Sequence, residues 1–336
     1  MSILNVLYQS NDYYSVATGV SMTSLLENNK GLTEINIYVL DDAISEANKD
    51  KMICLSGNYN RKINFVNTQE ILKRLKDLKV APFKNTYTTY FKLMALNELD
   101  VSTNRILQLD GDTIINGSLY DLCTIDISNV ICAATYDCTM NKYKSLINIP
   151  KIDKYYNCGV LLINQEMWKS FQCEKQIINH LKNVRNGYYT VDQDIINVLF
   201  RNKIKYLDLT YNYNSGFYIY GIKESLRMYD LREPYYNKIE DISRVYHNPI
   251  IYHCMGAMTG RPWEKDSIHP QNEIFDHYLS ISPWKDYEKV SVKRKMIFRV
   301  QRMLYLILPR ALYIPIHKIA QARYLKSMNK AIKHNI

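Results

Sequence analysis

Two carboxylates one glycine apart, Asp110 and Asp112, close the apolar run Ile106–Leu109 in the segment RILQLDGDTIINGSLYDL. Alternate residues at a strand end project to the same side, so both acids can face one point. Oxygen ligands at that spacing suit Mg²⁺ or Mn²⁺, hard cations that keep positions open for phosphates. A surface Asp-Gly turn has the same composition. A second candidate is IIYHCMGAMTGRPW (250–263). A strand-like run delivers His253, an imidazole suited to Mn²⁺. Gly256 then allows close backbone approach to a phosphate, and Arg261 can clamp a diphosphate. The alternative is a core histidine followed by an ordinary turn. In YYNCGVLLINQEMW (155–168), Asn157 and Gly159 precede an apolar strand, and the Asn157 amide can hold sugar hydroxyls; a plain strand-opening loop reads the same way. In VDQD (191–194), one aspartate is expected to cap the helix that follows, which leaves another polar side chain free for a ligand.

The elements that must position these residues alternate. Strand-like runs at Ile3–Gln9, Ile35–Leu40 and Ile63–Val66 are separated by helical spacing over Ser15–Glu27 and Ile44–Leu55. This β-α-β-α-β order predicts a parallel sheet with helices on its faces, whose ligands bind at the carboxyl ends of the strands. Further on, Thr88–Leu99 reads as a helix, Arg105–Leu109, Val130–Thr135 and Gly159–Ile163 as strands, and Gln165–Leu181 and Val191–Phe200 as helices. The chain carries no G-x-x-x-x-G-K-[ST], G-x-G-x-x-G, H-E-x-x-H or G-x-S-x-G pattern, so those phosphate-loop, zinc-protease and serine-hydrolase readings lack support.

Charge divides the chain. Residues 288–336 hold 12 of the 43 basic residues and only one acid, Glu288, which leaves 31 basic and 32 acidic residues in 1–287. A nearly neutral body argues against nucleic-acid binding. The seven cysteines are odd in number and form no C-x-x-C pair, so a reducing cytosol is expected rather than a disulfide framework. The N-terminal stretch lacks the pattern of a secretory signal, and a cytoplasmic protein is expected.

Taken in order, YQSNDYYSVATGVSMTSLLENN, TTYFKLMAL, ILQLDGDTIINGSLYDL, YYNCGVLLINQEMW, DQDIINVLF and HCMGAMTGRPW resemble glycosyltransferase family 8, the retaining GT-A enzymes that include bacterial lipopolysaccharide galactosyl- and glucosyltransferases. The likeness runs from about residue 3 to 287. It implies an α/β GT-A fold, a nucleotide-binding mixed sheet flanked by helices, and transfer of glucose or galactose from UDP-glucose or UDP-galactose to a glycan, glycolipid or glycoprotein acceptor. It places Mn²⁺ (or Mg²⁺) on Asp110, Asp112 and His253, with Gly111 between the acids. It puts Asn11, Asp12 and Tyr14 at the uracil and ribose, and Lys92, Gly256 and Arg261 at the diphosphate. Asp137, Asn157, Gly159, Asp192 and Gln193 fall at the donor sugar, with Asp137, Asp192 and Gln193 as catalytic candidates. Two departures stand out. Lys92 replaces the usual arginine, and the closing motif H-x-x-G-x-x-x-x-R-P-W is two residues longer than the usual form, with Arg for Lys. Competing readings are a UDP-sugar- or carbohydrate-binding protein without catalysis, and a metal-dependent phosphohydrolase.

The segment 288–336 reads as a separate device. Met296, Val300, Met303 and Ile307 form an apolar stripe beside Lys295, Arg299 and Arg302, and Pro309 ends the run. Such a basic amphipathic helix lies on an anionic membrane, which would hold the enzyme on the inner face of the cell membrane. A helix packed on its own domain with a solvated basic face is the alternative.

Overall fold

The computed structural model describes residues 2–80, 82–83, 86–183, 188–256 and 258–333. Its strands are β1 (Ile3–Asn11), β2 (Glu34–Asp42), β3 (Lys62–Asn67), β4 (Arg105–Leu109), β5 (Thr113–Ile115), β6 (Cys132–Ala134), β7 (Val160–Asn164), β8 (Ile204–Tyr206), β9 (Tyr213–Asn214) and β10 (Ile251–His253). Seven form one sheet in the order β3-β2-β1-β4-β7-β6-β8, and β5-β10-β9 form a second. The first four strands of the large sheet run parallel, as the alternation predicts. β7 runs antiparallel to both β4 and β6, so the sheet is mixed.

Successive side chains on each strand enter opposite layers. From β1, Leu4, Val6 and Tyr8 join one core and Leu7 the other; from β4, Leu107 and Leu109 join the first and Ile106 the second. Helices cover both faces. Ser15–Asn28 and Asn272–Ser280 lie on the first layer, and Thr88–Ala95, Cys173–Asn183 and Val191–Phe200 on the second. Sheets covered on both faces are built from nearly continuous apolar runs, which is why these strands read so plainly. Two helical expectations are corrected. Gln165–Leu181 is two helices, Gln165–Ser170 and Cys173–Asn183, broken where Gln172 adopts a φ of 50°. The helix from Thr88 stops at Ala95, one turn before Leu99.

The C-terminal segment forms two helices, Met296–Ile307 and Arg310–Lys333, parted at Pro309. They are not detached from the body. Tyr305, Tyr313 and Ile314 pack with Ile219, Tyr220, Met228 and Met258. The residues of the predicted apolar stripe, Met296, Val300, Met303 and Ile307, remain exposed.

Candidate active site

β4 and β5 are joined by the turn Asp110-Gly111-Asp112. The Thr113 N–H and hydroxyl both donate to the Asp110 carbonyl, at 3.2 and 2.9 Å. A Cβ on Gly111 would lie 2.4 Å from Thr18 Oγ1, so only glycine lets this turn seat on the first helix. β10 pairs antiparallel with β5 and sets His253 opposite Thr113, and the Cys254 N–H donates to the Asp112 carbonyl at 2.8 Å. One ladder thus brings His253 to the two aspartates. Ligand atoms of Asp110, Asp112 and His253 lie within 4.8 Å of one another.

A chain of amides orients the imidazole. The Asp137 carboxylate accepts from Asn157 Nδ2 at 2.6 Å. That turns Asn157 Oδ1 to accept from the Gly159 N–H and from Asn212 Nδ2, both at 2.8 Å. Asn212 Oδ1 is left facing His253 Nδ1 at 3.0 Å. With the proton on Nδ1, Nε2 is directed at Asp112, 3.3 Å away. Gly159 makes room, since a Cβ there would sit 2.2 Å from His253 Cε1. Two carboxylates and an imidazole with its outer nitrogen held by an amide are a donor set suited to Mn²⁺ or Mg²⁺. Burial alone would raise the Asp112 pKa, but Arg261 and His253 beside it hold it well below the usual carboxylate range.

The second polar cluster lies next to the first. Gln193 accepts the Cys158 N–H through Oε1 at 3.1 Å, and its Nε2 donates to Asp137 Oδ2 at 3.2 Å. Its helix is docked by Asn197, which bonds both the N–H and the carbonyl of Tyr156, at 2.7 and 2.8 Å. Neither aspartate is the N-cap of this helix, which is Thr190 and makes no side-chain cap bond; Asp194, inside the helix, accepts the Thr190 N–H at 2.8 Å and is bonded by the Tyr143 and Tyr155 hydroxyls.

The two clusters border one cavity of about 640 Å³. Of the residues singled out in the sequence, it collects Asn11, Tyr14, Asp110, Gly111 and Asp112, then Asp137, Asn157, Gly159, Asp192 and Gln193, and finally His253, Gly256 and Arg261. Ala257, within the last motif, lies outside the described residues. Arg261 pairs with Asp112 and lies over the rings of Tyr14 and Trp263, at 5.5 and 5.2 Å. Two candidates do not line the cavity. Asp12 is exposed and accepts from the Ser45 N–H and from Asn48 Nδ2, at 2.9 and 2.8 Å. Lys92 is 2% exposed and sits beneath the floor. Its ammonium contacts Asp192 at 2.6 Å, Asp110 at 3.1 Å and the Cys158 carbonyl at 2.9 Å. Burial opposes that charge, and the two carboxylates more than restore it, raising the Lys92 pKa. Here the Lys92 ammonium is held between the two acids.

No local pattern marks Asn212, which holds His253, or Gln321, Tyr324 and Leu325, which line the cavity from the C-terminal helix.

A helix-flanked mixed sheet with an Asp-x-Asp turn and a histidine meeting at the carboxyl edge of its parallel strands defines the GT-A class of glycosyltransferases. The family model described as Glycosyl transferase family 8 matches residues 5–267, and the chain belongs to that family. Among curated relatives, a lipopolysaccharide 1,2-glucosyltransferase of Escherichia coli (strain K12) is 27% identical over 290 residues, covering 84% of this chain and 79% of that protein. A lipopolysaccharide 1,3-galactosyltransferase of Salmonella typhimurium is 25% identical over 288 residues, covering 83% and 79%. A crystal structure of the galactosyltransferase LgtC in complex with donor and acceptor sugar analogues shares the fold, with a TM-score of 0.66, 24% identity, and coverage of 88% of this chain and 99% of that one.

Proposed function

We propose that the protein is a metal-dependent, retaining hexosyltransferase that moves glucose or galactose from a UDP-sugar to a surface glycan of the lipopolysaccharide kind. The observation that carries this reading is the meeting of Asp110, Asp112 and His253 in one cavity with the Asp137–Asn157–Gln193 cluster. The names of the relatives support the hexose and the acceptor class.

Asp110, Asp112 and His253 would hold Mn²⁺ or Mg²⁺, which when bound would supply Lewis acidity to the donor diphosphate. Arg261 adds a fixed positive charge where negative charge develops on the departing UDP. Asn157 and Asp137 offer donors and acceptors to the hydroxyls of the donor sugar. A double displacement needs a nucleophile beneath the ring. Gln193 is a neutral amide whose oxygen is already committed to the Cys158 N–H, and Asp192 is committed to Lys92. The front-face route fits these residues better. In it the acceptor hydroxyl attacks the anomeric carbon from the side that UDP leaves, the sugar–phosphate bond breaks with its electrons on the phosphate, and the phosphate takes the hydroxyl proton.

The exposed apolar residues of Met296–Ile307, with Lys295 and Arg299 exposed beside them, suit adsorption to the anionic inner face of the cell membrane. Among the described residues no helix is long and apolar enough to cross a membrane.

The test is UDP release from UDP-glucose and from UDP-galactose in the presence of Mn²⁺. Release from one of them is expected. It should vanish with a chelator and fall by about 100-fold or more in Asp110→Asn, which removes a ligand rather than an outer contact. Binding of UDP-sugar without release favours the non-catalytic reading, and hydrolysis of simple phosphate esters favours the phosphohydrolase.

A further inference from the structure

The cavity lining includes residues that the donor and metal readings leave unused, and two of them are aromatic rings in mutual contact. At the donor end stand Asn11, Tyr14, Arg261 and the three candidate metal ligands. Beyond the Asp137–Gln193 pair, contacts step outward from Gln193 Nε2 to the Tyr155 hydroxyl (3.3 Å) and on to Thr190 Oγ1 (3.1 Å). There the lining is made by Tyr189 and, from the C-terminal helix, Tyr324. Their ring centroids are 5.6 Å apart at 71°. Each is about half uncovered, 48% for Tyr189 and 47% for Tyr324.

Both rings hang from anchored backbone. The Tyr189 N–H donates to the Tyr143 hydroxyl at 3.0 Å, and that hydroxyl is bonded to buried Asp194 at 2.6 Å. Tyr189 is thereby tied to the helix that carries Asp192 and Gln193. Tyr324 precedes Leu325, which is buried with Tyr143, Ile147, Ile149 and Tyr155. Two large, half-exposed rings on anchored backbone form a preorganised apolar seat beside polar groups.

We propose that Tyr189 and Tyr324 seat a pyranose ring of the glycan acceptor. This rests on the glycosyltransferase reading above. A pyranose suits the place because the C–H bonds on one side of the ring pack against an aromatic face, while its hydroxyls reach polar groups such as Gln321 and Thr190, which also line the cavity. The donor sugar is excluded, because it is bonded to the diphosphate and must lie at Asp137, Asn157 and Gln193. Uracil has Tyr14, the ring beside Arg261. Tyr324 also lies beyond the residues 5–267 that match the family model, so half of this seat comes from a segment outside the matched region. The C-terminal helix would then take part in choosing what is glycosylated.

The experiment uses the full chain with Mn²⁺ and UDP, and the methyl glucosides and methyl galactosides as probes. UDP binding is measured first by calorimetry, and saturation-transfer NMR then reads the hexosides. Saturation is expected to reach the ring protons of at least one methyl hexoside. It should fall by at least fivefold in Tyr324→Leu and in Tyr189→Leu, persist in Tyr324→Trp, which keeps an aromatic face, and be unchanged in Tyr120→Leu, an exposed ring outside the cavity. No UDP binding defeats the underlying reading. UDP binding with no hexoside signal in the unaltered protein, or with a signal that survives either leucine substitution, overturns the acceptor seat alone.

Discussion

Gly159 and Asn212 decide where the His253 imidazole stands, one by leaving space and the other by holding a nitrogen. In Gly159→Ala the new methyl would meet the ring at 2.2 Å, so the ring must leave its position. In Asn212→Ala the Nδ1 partner is lost. Each change is expected to weaken Mn²⁺ binding by roughly 10–100-fold, measured by metal titration in the presence of UDP, with UDP release falling in parallel. His269 governs a different property. Burial pushes its pKa down from 6.5 to about 4; its Nδ1 accepts the Gln271 N–H at 3.2 Å. Between those values the unfolded chain takes up a proton that the folded chain refuses. Its contribution to stability is therefore complete above pH 6.5 and is lost as pH falls toward 4, by up to about 3 kcal/mol. Denaturant midpoints should drop over that window, and His269→Gln should flatten the drop. At this scale the Asp110–Asp112 doublet was legible because both acids follow one apolar strand. Asn212 was not, because its partners Asn157 and His253 lie 55 and 41 residues away and nothing local marks it.

Among the elements, strands with one apolar layer on each side announce themselves, and β4 begins and ends where the sequence places it. The break at Gln172 does not, because apolar spacing continues across it. Of the two C-terminal helices, Met296–Ile307 was legible in the sequence, whereas Arg310–Lys333 and the way both dock were not. Met296–Ile307 is apolar on more than one face, and the face the fold buries carries Tyr305, with Phe298 and Leu304 half-buried beside it. Docking ties these helices to the loop that bears Arg261. Glu264 accepts the Arg261 N–H at 3.0 Å and is itself paired with Arg294, and Arg302 donates to the Asp266 carbonyl. Met258 of the same loop packs with Tyr305 and Tyr313. Removing Arg294 leaves Glu264 buried without its cation. Arg294→Ala is therefore expected to weaken UDP binding by roughly tenfold, and deletion of 289–336 by at least as much, both measured by calorimetry.

For the whole molecule, a nearly neutral body carries a basic end on which Met296, Val300, Met303 and Ile307 are exposed. Binding to vesicles containing anionic lipid is expected, with weak binding to purely zwitterionic vesicles and a decline as salt rises. Met303→Glu with Ile307→Glu should abolish co-sedimentation; unchanged binding by that double variant would reject the membrane role. Charge asymmetry was visible in composition alone, because it needs no knowledge of contacts. The ladder between β5 and β10 has a consequence of another kind. It joins Asp112 to a histidine near the end of the family-matched region, and a slip of one residue would turn the imidazole to the opposite face. A ribosome making this chain from its N-terminus completes the seven-stranded sheet and both aspartates before it reaches residue 253. On the function proposed above, nascent protein would lack its third candidate metal ligand until most of the chain has been synthesised, and unfinished products released before that point would be unable to spend nucleotide sugar.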